Sequence, residues 1–201
     1  MTPRRTQAER SDTTTSQLIG AARTLFGAYG YAATSIDAVA ATAGVTKGAA
    51  YHHFDGKPGL FRAAFTREQE EIAGRLEQVA ATTPDPWAAL RLGCRTFLER
   101  CLDPGFRRIV LLDAPSVLGW AEVREIQYAH TLRVLLTGLR AAIGVPEEDE
   151  PGVDATAIRA QLMFGALCEA GMLLARSPDP AAALPALAME AERLLTAFRT
   201  G

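Results

Sequence analysis

Lysine is almost missing from this 201-residue chain: Lys47 and Lys57 are the only two, and every other basic residue is arginine. Cysteine is scarce as well. Cys94, Cys101 and Cys168 include no Cys-x-x-Cys pair, which excludes the common zinc and dithiol patterns. An odd, widely spaced set points to reduced, buried thiols; Cys94 and Cys101, seven apart, share a helix face. No apolar run approaches the roughly 20 residues that span a bilayer. The polar start Met1-Thr2-Pro3-Arg4-Arg5 leads into no apolar signal core, so the expected location is cytoplasmic, with no membrane partner. No nucleophile motif, metal-spaced cluster or phosphate loop occurs. Asp113, Glu122, His130 and Glu169 are the acid–base candidates left, and no motif surrounds them, so neither catalysis nor a metal or other cofactor is expected. Alternation of apolar and polar residues persists nowhere, whereas helical spacing recurs throughout, which makes the expected fold class all-α.

What is present is an ordinary globular composition, 48% hydrophobic and 22% charged. The net charge of −2 is unevenly spread. Residues 1–67 carry eight basic side chains (Arg4, Arg5, Arg10, Arg23, Lys47, Lys57, Arg62, Arg67) and four acidic ones (Glu9, Asp12, Asp37, Asp55), a net of +4; the other 13 bases and 19 acids leave −6. A basic head on an acidic body is the asymmetry expected when one end meets phosphates.

Residues 1–11 are polar and expected to be a mobile arm. Leu18, Ile19, Ala22, Leu25, Phe26 and Tyr29 form one stripe of a helix over about 12–29, which Gly30 ends. Thr34, followed three residues later by Asp37, predicts the cap of a second helix with Ile36, Val39, Ala40 and Ala43 inward. Gly44 breaks it. Thr46 predicts the cap of a third helix reaching His53, with Val45, Ala49 and Phe54 on its inner edge. A fourth helix follows Asp55-Gly56-Lys57-Pro58 and runs to about Ala81. A fifth covers about 86–102, with Leu90, Cys94, Phe97, Leu98 and Cys101 inward. A short helix over 105–113, a long one from Pro115 to about Ile143, an acidic loop, and two helices over 155–176 and 180–199 complete the chain.

The segment Ala33–Leu60 carries the function. Two short helices joined by Ala43-Gly44-Val45 fit a helix-turn-helix, whose second helix enters the major groove. The stretch resembles the DNA-binding region of the TetR family of bacterial regulators. The resemblance rests on Phe26 and Gly30, then Thr34, Ile36 and Ala40, then Ala43-Gly44-Val45, Lys47-Gly48, Tyr51, His52 and Phe54, and finally Lys57 and Leu60. Ala50 departs from the larger aliphatic residue usual there, and Pro58-Gly59 replaces acidic residues. The implied organisation is an arm (1–11), a three-helix DNA-binding head (12–57) and a helical effector-binding and dimerisation body (58–201).

The resemblance also implies roles. Thr34 would bond a phosphate. Thr46 and Lys47 would lie at the groove-entering end, Lys47 reaching a guanine edge or a phosphate. Gly48 and Ala49 would allow close approach, and Tyr51, His52 and Lys57 would bond phosphates. Arg4 and Arg5 would follow the minor groove. Plain alternatives are a core Tyr51, exposed polar histidines at 52 and 53, a solvated Lys57 and a merely soluble tail. In the body, Phe97, Cys101, Trp120, Tyr128, Met163, Phe164 and Leu167 would line an effector cavity, or be ordinary core. Asp113 is expected to cap the long helix or pair with Arg107 or Arg108. Leu162, Gly165, Ala166, Leu173, Leu187, Leu194, Leu195 and Phe198 would form a homodimer face, or close the protomer's own core. The implied partners are a double-stranded DNA operator, a small effector and a second copy. Repression is the expected output, with activation or a protein signal as the alternative.

Overall fold

The computed structural model describes residues 7–145 and 154–199, with backbone alone for 7–10; Arg4 and Arg5 lie outside the described residues. Those residues form helices, with no strand among them. In order they are α1 (Gln7–Ala33), α2 (Ile36–Thr42), α3 (Lys47–His53), α4 (Gly56–Thr82), α5 (Pro86–Arg100), α6 (Pro104–Arg107), a π-helical turn (Arg108–Asp113), α7 (Ala114–Leu118), α8 (Trp120–Ala129), α9 (Thr131–Ile143), α10 (Ala155–Arg176) and α11 (Pro180–Ala197). The all-α expectation holds, and α2 to α5 match their predicted spans closely.

Three expectations need correction. Residues 7–11, expected as arm, continue α1. Tyr29, placed on the inner stripe, is 66% exposed. The chain breaks at Gly30, whose φ of 82° and ψ of 169° belong to a region that glycine alone occupies cheaply. Tyr31, beyond the break, packs instead against Phe26 and Phe61, with ring centroids 5.9 and 5.3 Å away. The predicted long helix from Pro115 to Ile143 is three helices. Gly119, at φ 80°, separates α7 from α8, and His130, at φ −127° and ψ −98°, separates α8 from α9.

The head packs around Leu18, Ala22, Phe26, Val39, Leu60 and Phe61, all nearly or wholly buried. α1 rests on α4, which continues into the body against α5 and α9. α10 packs on α9 and α11. By length and composition α10 could cross a membrane, despite the expectation that no segment reaches that measure. It carries Arg159 and Glu169, which interrupt the apolar run read from sequence, and it buries Ala160, Met163, Phe164, Leu167 and Leu174 in the body core.

Candidate nucleic-acid interface and ligand cavity

The turn Ala43–Val45 sets α3 across α2 and leaves one side of α3 open. Thr46 caps α3 by accepting the Ala49 N–H at 3.2 Å. Ala50 is 2% exposed and anchors the helix to the head. Its small side chain replaces the larger aliphatic residue of the resemblance, and Ala50, rather than the half-buried Ala49, is the inner residue. Opposite it, Thr46, Lys47, Gly48, Tyr51 and His52 are exposed. Tyr51 is therefore not a core tyrosine. His53 turns back to α1, its Nδ1 3.1 Å from the Thr15 hydroxyl.

Lys47 lies on this face, and Lys57 stands at the start of α4. Lys47 Nζ lies 2.9 Å from Asp37 Oδ2, an exposed ion pair that solvent screens and that can be released at little cost. Lys57 Nζ donates to the Ala32 carbonyl at 3.3 Å and sits 4.3 Å from the Tyr31 ring centroid. Thr34 is a correction on two counts. It is 4% exposed, and its hydroxyl lies 2.8 Å from the Gly30 carbonyl oxygen and 3.2 Å from that of Leu25, so it neither caps α2 nor faces outward. The cap is Ser35, whose hydroxyl accepts the Ala38 N–H at 3.1 Å. Two adjacent hydroxyl residues made the sequence ambiguous, and the Asp37 spacing favoured the wrong one.

The head is tied to the body by charges. Glu68 on α4 is 4% exposed; one oxygen lies 2.8 Å from Arg23 of α1 and the other 2.8 Å from Arg100 of α5. Arg23 also holds Glu71 at 2.5 and 2.6 Å, and Arg100 holds Asp103 at 2.6 Å. Nothing in the sequence linked Arg23 to residues 45 positions away. A second tie closes the end of α1. Asp113 accepts the Tyr31 N–H at 2.8 Å, and Arg108 donates to the Ala28 carbonyl. Asp113 therefore serves α1, in place of the expected cap on α7 or ion pair with Arg107 or Arg108.

Within the body, residues of α4, α5, α9 and α10 line a cavity of about 200 Å³, with Thr83 and Pro84 from the α4–α5 turn. Phe97, Phe164 and Leu167 line it, as expected. Cys101 and Met163 are buried outside its wall. Trp120, 68% exposed, and Tyr128, 40% exposed, lie outside its lining, on α8, which the breaks at Gly119 and His130 separate from α7 and α9. Among the described residues the wall carries no charged side chain. Its polar groups are the Thr83 and Thr131 hydroxyls and the Cys94 thiol. Burial pushes that thiol up to about 12, so it stays protonated.

Residues 87–198 match the family "Tetracyclin repressor-like, C-terminal domain", and residues 18–64 match "Bacterial regulatory proteins, tetR family". The chain belongs to the TetR family. A solved TetR-family transcriptional regulator from Pectobacterium atrosepticum is 35% identical and superposes with a TM-score of 0.77 over 96% of this chain and 97% of that one. The transposon Tn10 TetC protein of Escherichia coli is 32% identical over 120 residues, 60% of each chain. The regulator CymR of Pseudomonas putida is 45% identical over 72 residues, 36% of each. The match thus spans less than two thirds of either curated relative.

On the outer side of the TetR-type body, α10 and α11 leave apolar residues uncovered. Leu162, Leu173 and Leu194 are 65%, 45% and 50% exposed, and Gly165 is exposed beside them. Ala166, Leu187 and Phe198 are half-buried. Leu195 leaves the expected dimer set: at 1% exposure it fills the protomer's own core.

Proposed function

We propose that this TetR-family chain is a cytoplasmic, homodimeric transcriptional repressor that a small, largely apolar effector releases from a palindromic operator. The head would comprise residues 12–57 and the body 58–201. The observation that carries the reading is the open side of α3, where Thr46, Lys47, Gly48, Tyr51 and His52 stand exposed over the buried Ala50. Lys47 gives up Asp37 to reach a guanine edge or a phosphate, Gly48 and Ala49 admit the DNA backbone, and Tyr51, His52 and Lys57 bond phosphates. The exposed hydroxyl at the start of α2 is Ser35, which takes the phosphate role first assigned to Thr34. Two heads then meet successive major grooves about one turn apart.

The test is fluorescence anisotropy of the protein on DNA from upstream of its own gene, across a salt series. A tight, steeply salt-dependent complex with two protomers per palindrome is expected. Tyr51→Phe and Lys57→Ala weaken binding to all sequences alike, and Lys57→Ala lowers the salt slope by about 1. Lys47→Ala changes sequence preference if the lysine reads a base. Unchanged operator affinity after replacing all three refutes the DNA face.

A further inference from the structure

Behind the cavity wall lies a buried amide that the rest of the protein leaves half used. Gln69 on α4 is 0% exposed. Its Oε1 lies 2.6 Å from the Thr131 hydroxyl, and its Nε2 has no hydrogen-bond partner among the described residues. The short separation fits an O–H donating to a carbonyl oxygen better than an amide N–H donating to a hydroxyl, whose usual length is about 2.9 Å. The orphan is therefore the NH2 group. A buried donor with no acceptor costs roughly 1–3 kcal/mol, and native interiors tolerate few of them. Thr131, which holds the other end of this amide, is itself a wall residue of the cavity. The unspent donor thus sits one side chain behind a mainly apolar wall, with Thr131 between it and the cavity.

We propose that Gln69 is the polar handle of this cavity, and that its ligand is a neutral, mainly apolar molecule with one hydrogen-bond acceptor for the amide. The proposal rests on the reading of the cavity as the effector site. A formal charge on the ligand is disfavoured because no described wall residue could pair it, and an unpaired charge against apolar side chains is expensive. An acceptor is favoured because it relieves the orphan donor on binding. The position also suits signalling. Gln69 is the immediate neighbour of Glu68, which Arg23 joins to α1 of the head, and both residues lie on the helix that begins at Gly56 behind α3. A ligand that draws on Gln69 acts on that helix, and the resulting shift equals its differential affinity for the two arrangements of the heads.

The test uses the full chain and three matched probes followed by titration calorimetry: 1-acetonaphthone, neutral with a carbonyl acceptor; naphthalene, neutral without one; and 1-naphthoate, an anion. The ketone is expected to bind about tenfold tighter than naphthalene, the usual worth of satisfying one buried donor, and naphthoate weakest. In Gln69→Met the ketone falls to the affinity of naphthalene, whose own binding is unchanged. A merely structural amide predicts a shifted melting temperature with the ketone-to-naphthalene ratio intact, which overturns the proposal. So does equal binding of ketone and naphthalene by the unaltered protein, a comparison that needs no variant to fold. Tightest binding of naphthoate overturns the neutral ligand class while leaving an effector cavity standing. Gly93→Leu, which fills the space toward Leu76 Cδ2, 3.7 Å from a Cβ at that position, is expected to abolish binding of all three. Binding that survives it lies elsewhere, and binding by none of the probes removes the effector reading together with this one.

Discussion

A carboxylate buried as deeply as Glu68 is stable only because two guanidiniums share it. Arg23 and Arg100 each take one oxygen at 2.8 Å, and each keeps a second acid of its own, Glu71 and Asp103. Removing one member of a buried pair leaves the other charge desolvated and costs about 3–5 kcal/mol. The second acids soften that loss. Glu68→Ala is therefore expected to lower the unfolding free energy by about 3 kcal/mol, the low end of that range, measured by urea denaturation at neutral pH. The same cluster sets an acid limit. Burial alone would raise Glu71, but hydrogen bonds and charge from Arg23, with Arg100 and Arg67 behind, hold its carboxyl below the ordinary value. Burial would likewise raise Asp103, and the Arg100 hydrogen bond with the N–H groups of Phe106 and Gly105 lowers it on balance. A carboxyl with a lowered folded-state pKa binds its proton more readily in the unfolded chain. Its stabilisation is complete above the ordinary carboxylate range and disappears as pH falls through the lowered values. The thermal midpoint is expected to be flat near neutrality and to fall below about pH 4, where an unfolded carboxyl takes its proton. A midpoint unchanged down to pH 3 contradicts it.

At the scale of the element, the end of α1 is the informative junction. Gly30 turns the chain at positive φ, the Tyr31 N–H freed by that turn goes to Asp113, and Arg108 caps the Ala28 carbonyl. A side chain at Gly30 meets a backbone region worth about 1–3 kcal/mol of strain, and a Cβ there lies 3.5 Å from both Arg108 Cδ and Asp113 Oδ2. Gly30→Ala is expected to destabilise the protein by about 1–3 kcal/mol and to weaken operator binding beyond that loss, because the junction orients α2 and α3. Gly20→Ala, an interior α1 position with nothing within 4 Å of the added atom, is the control and is expected to be neutral or slightly stabilising. Equal effects of the two substitutions contradict the special role of the turn.

For the whole molecule, the uncovered residues of α10 and α11 make the proposed dimer face. Exposed Leu162, Leu173 and Leu194 are apolar side chains of the kind that mark interaction sites, and the proposed two-groove reading requires a partner for the head. Leu162→Glu places charge in the middle of that surface. It is expected to give a folded monomer at micromolar concentration by sedimentation velocity, with operator affinity reduced at least about tenfold because only one head engages. Leu195→Glu, buried in the protomer, is expected to unfold it instead. A dimer that survives Leu162→Glu excludes this face.

Much of the site was legible because local physics determined it. Helical periodicity, the cap at Thr46, and the glycine and proline stops depend on neighbours a few residues away, so most of the helices and the exposed side of α3 followed from sequence alone. The charge asymmetry pointed to one end meeting phosphates, and the motif from Phe26 to Leu60 pointed to DNA through its resemblance to the TetR family. Contacts between distant residues could not be read that way. Ser35 displaced Thr34 as cap because the Thr34 hydroxyl found carbonyls on α1. Trp120 left the cavity because glycine broke a helix whose apolar pattern runs on. Glu68 is charged and Gln69 polar, and only the packing of α1, α5 and α9 around α4 explains why both are buried. Periodicity says which face of a helix turns inward. What that face meets is decided by the other helices, and there the charged tie between head and body and the unspent amide behind the cavity arise.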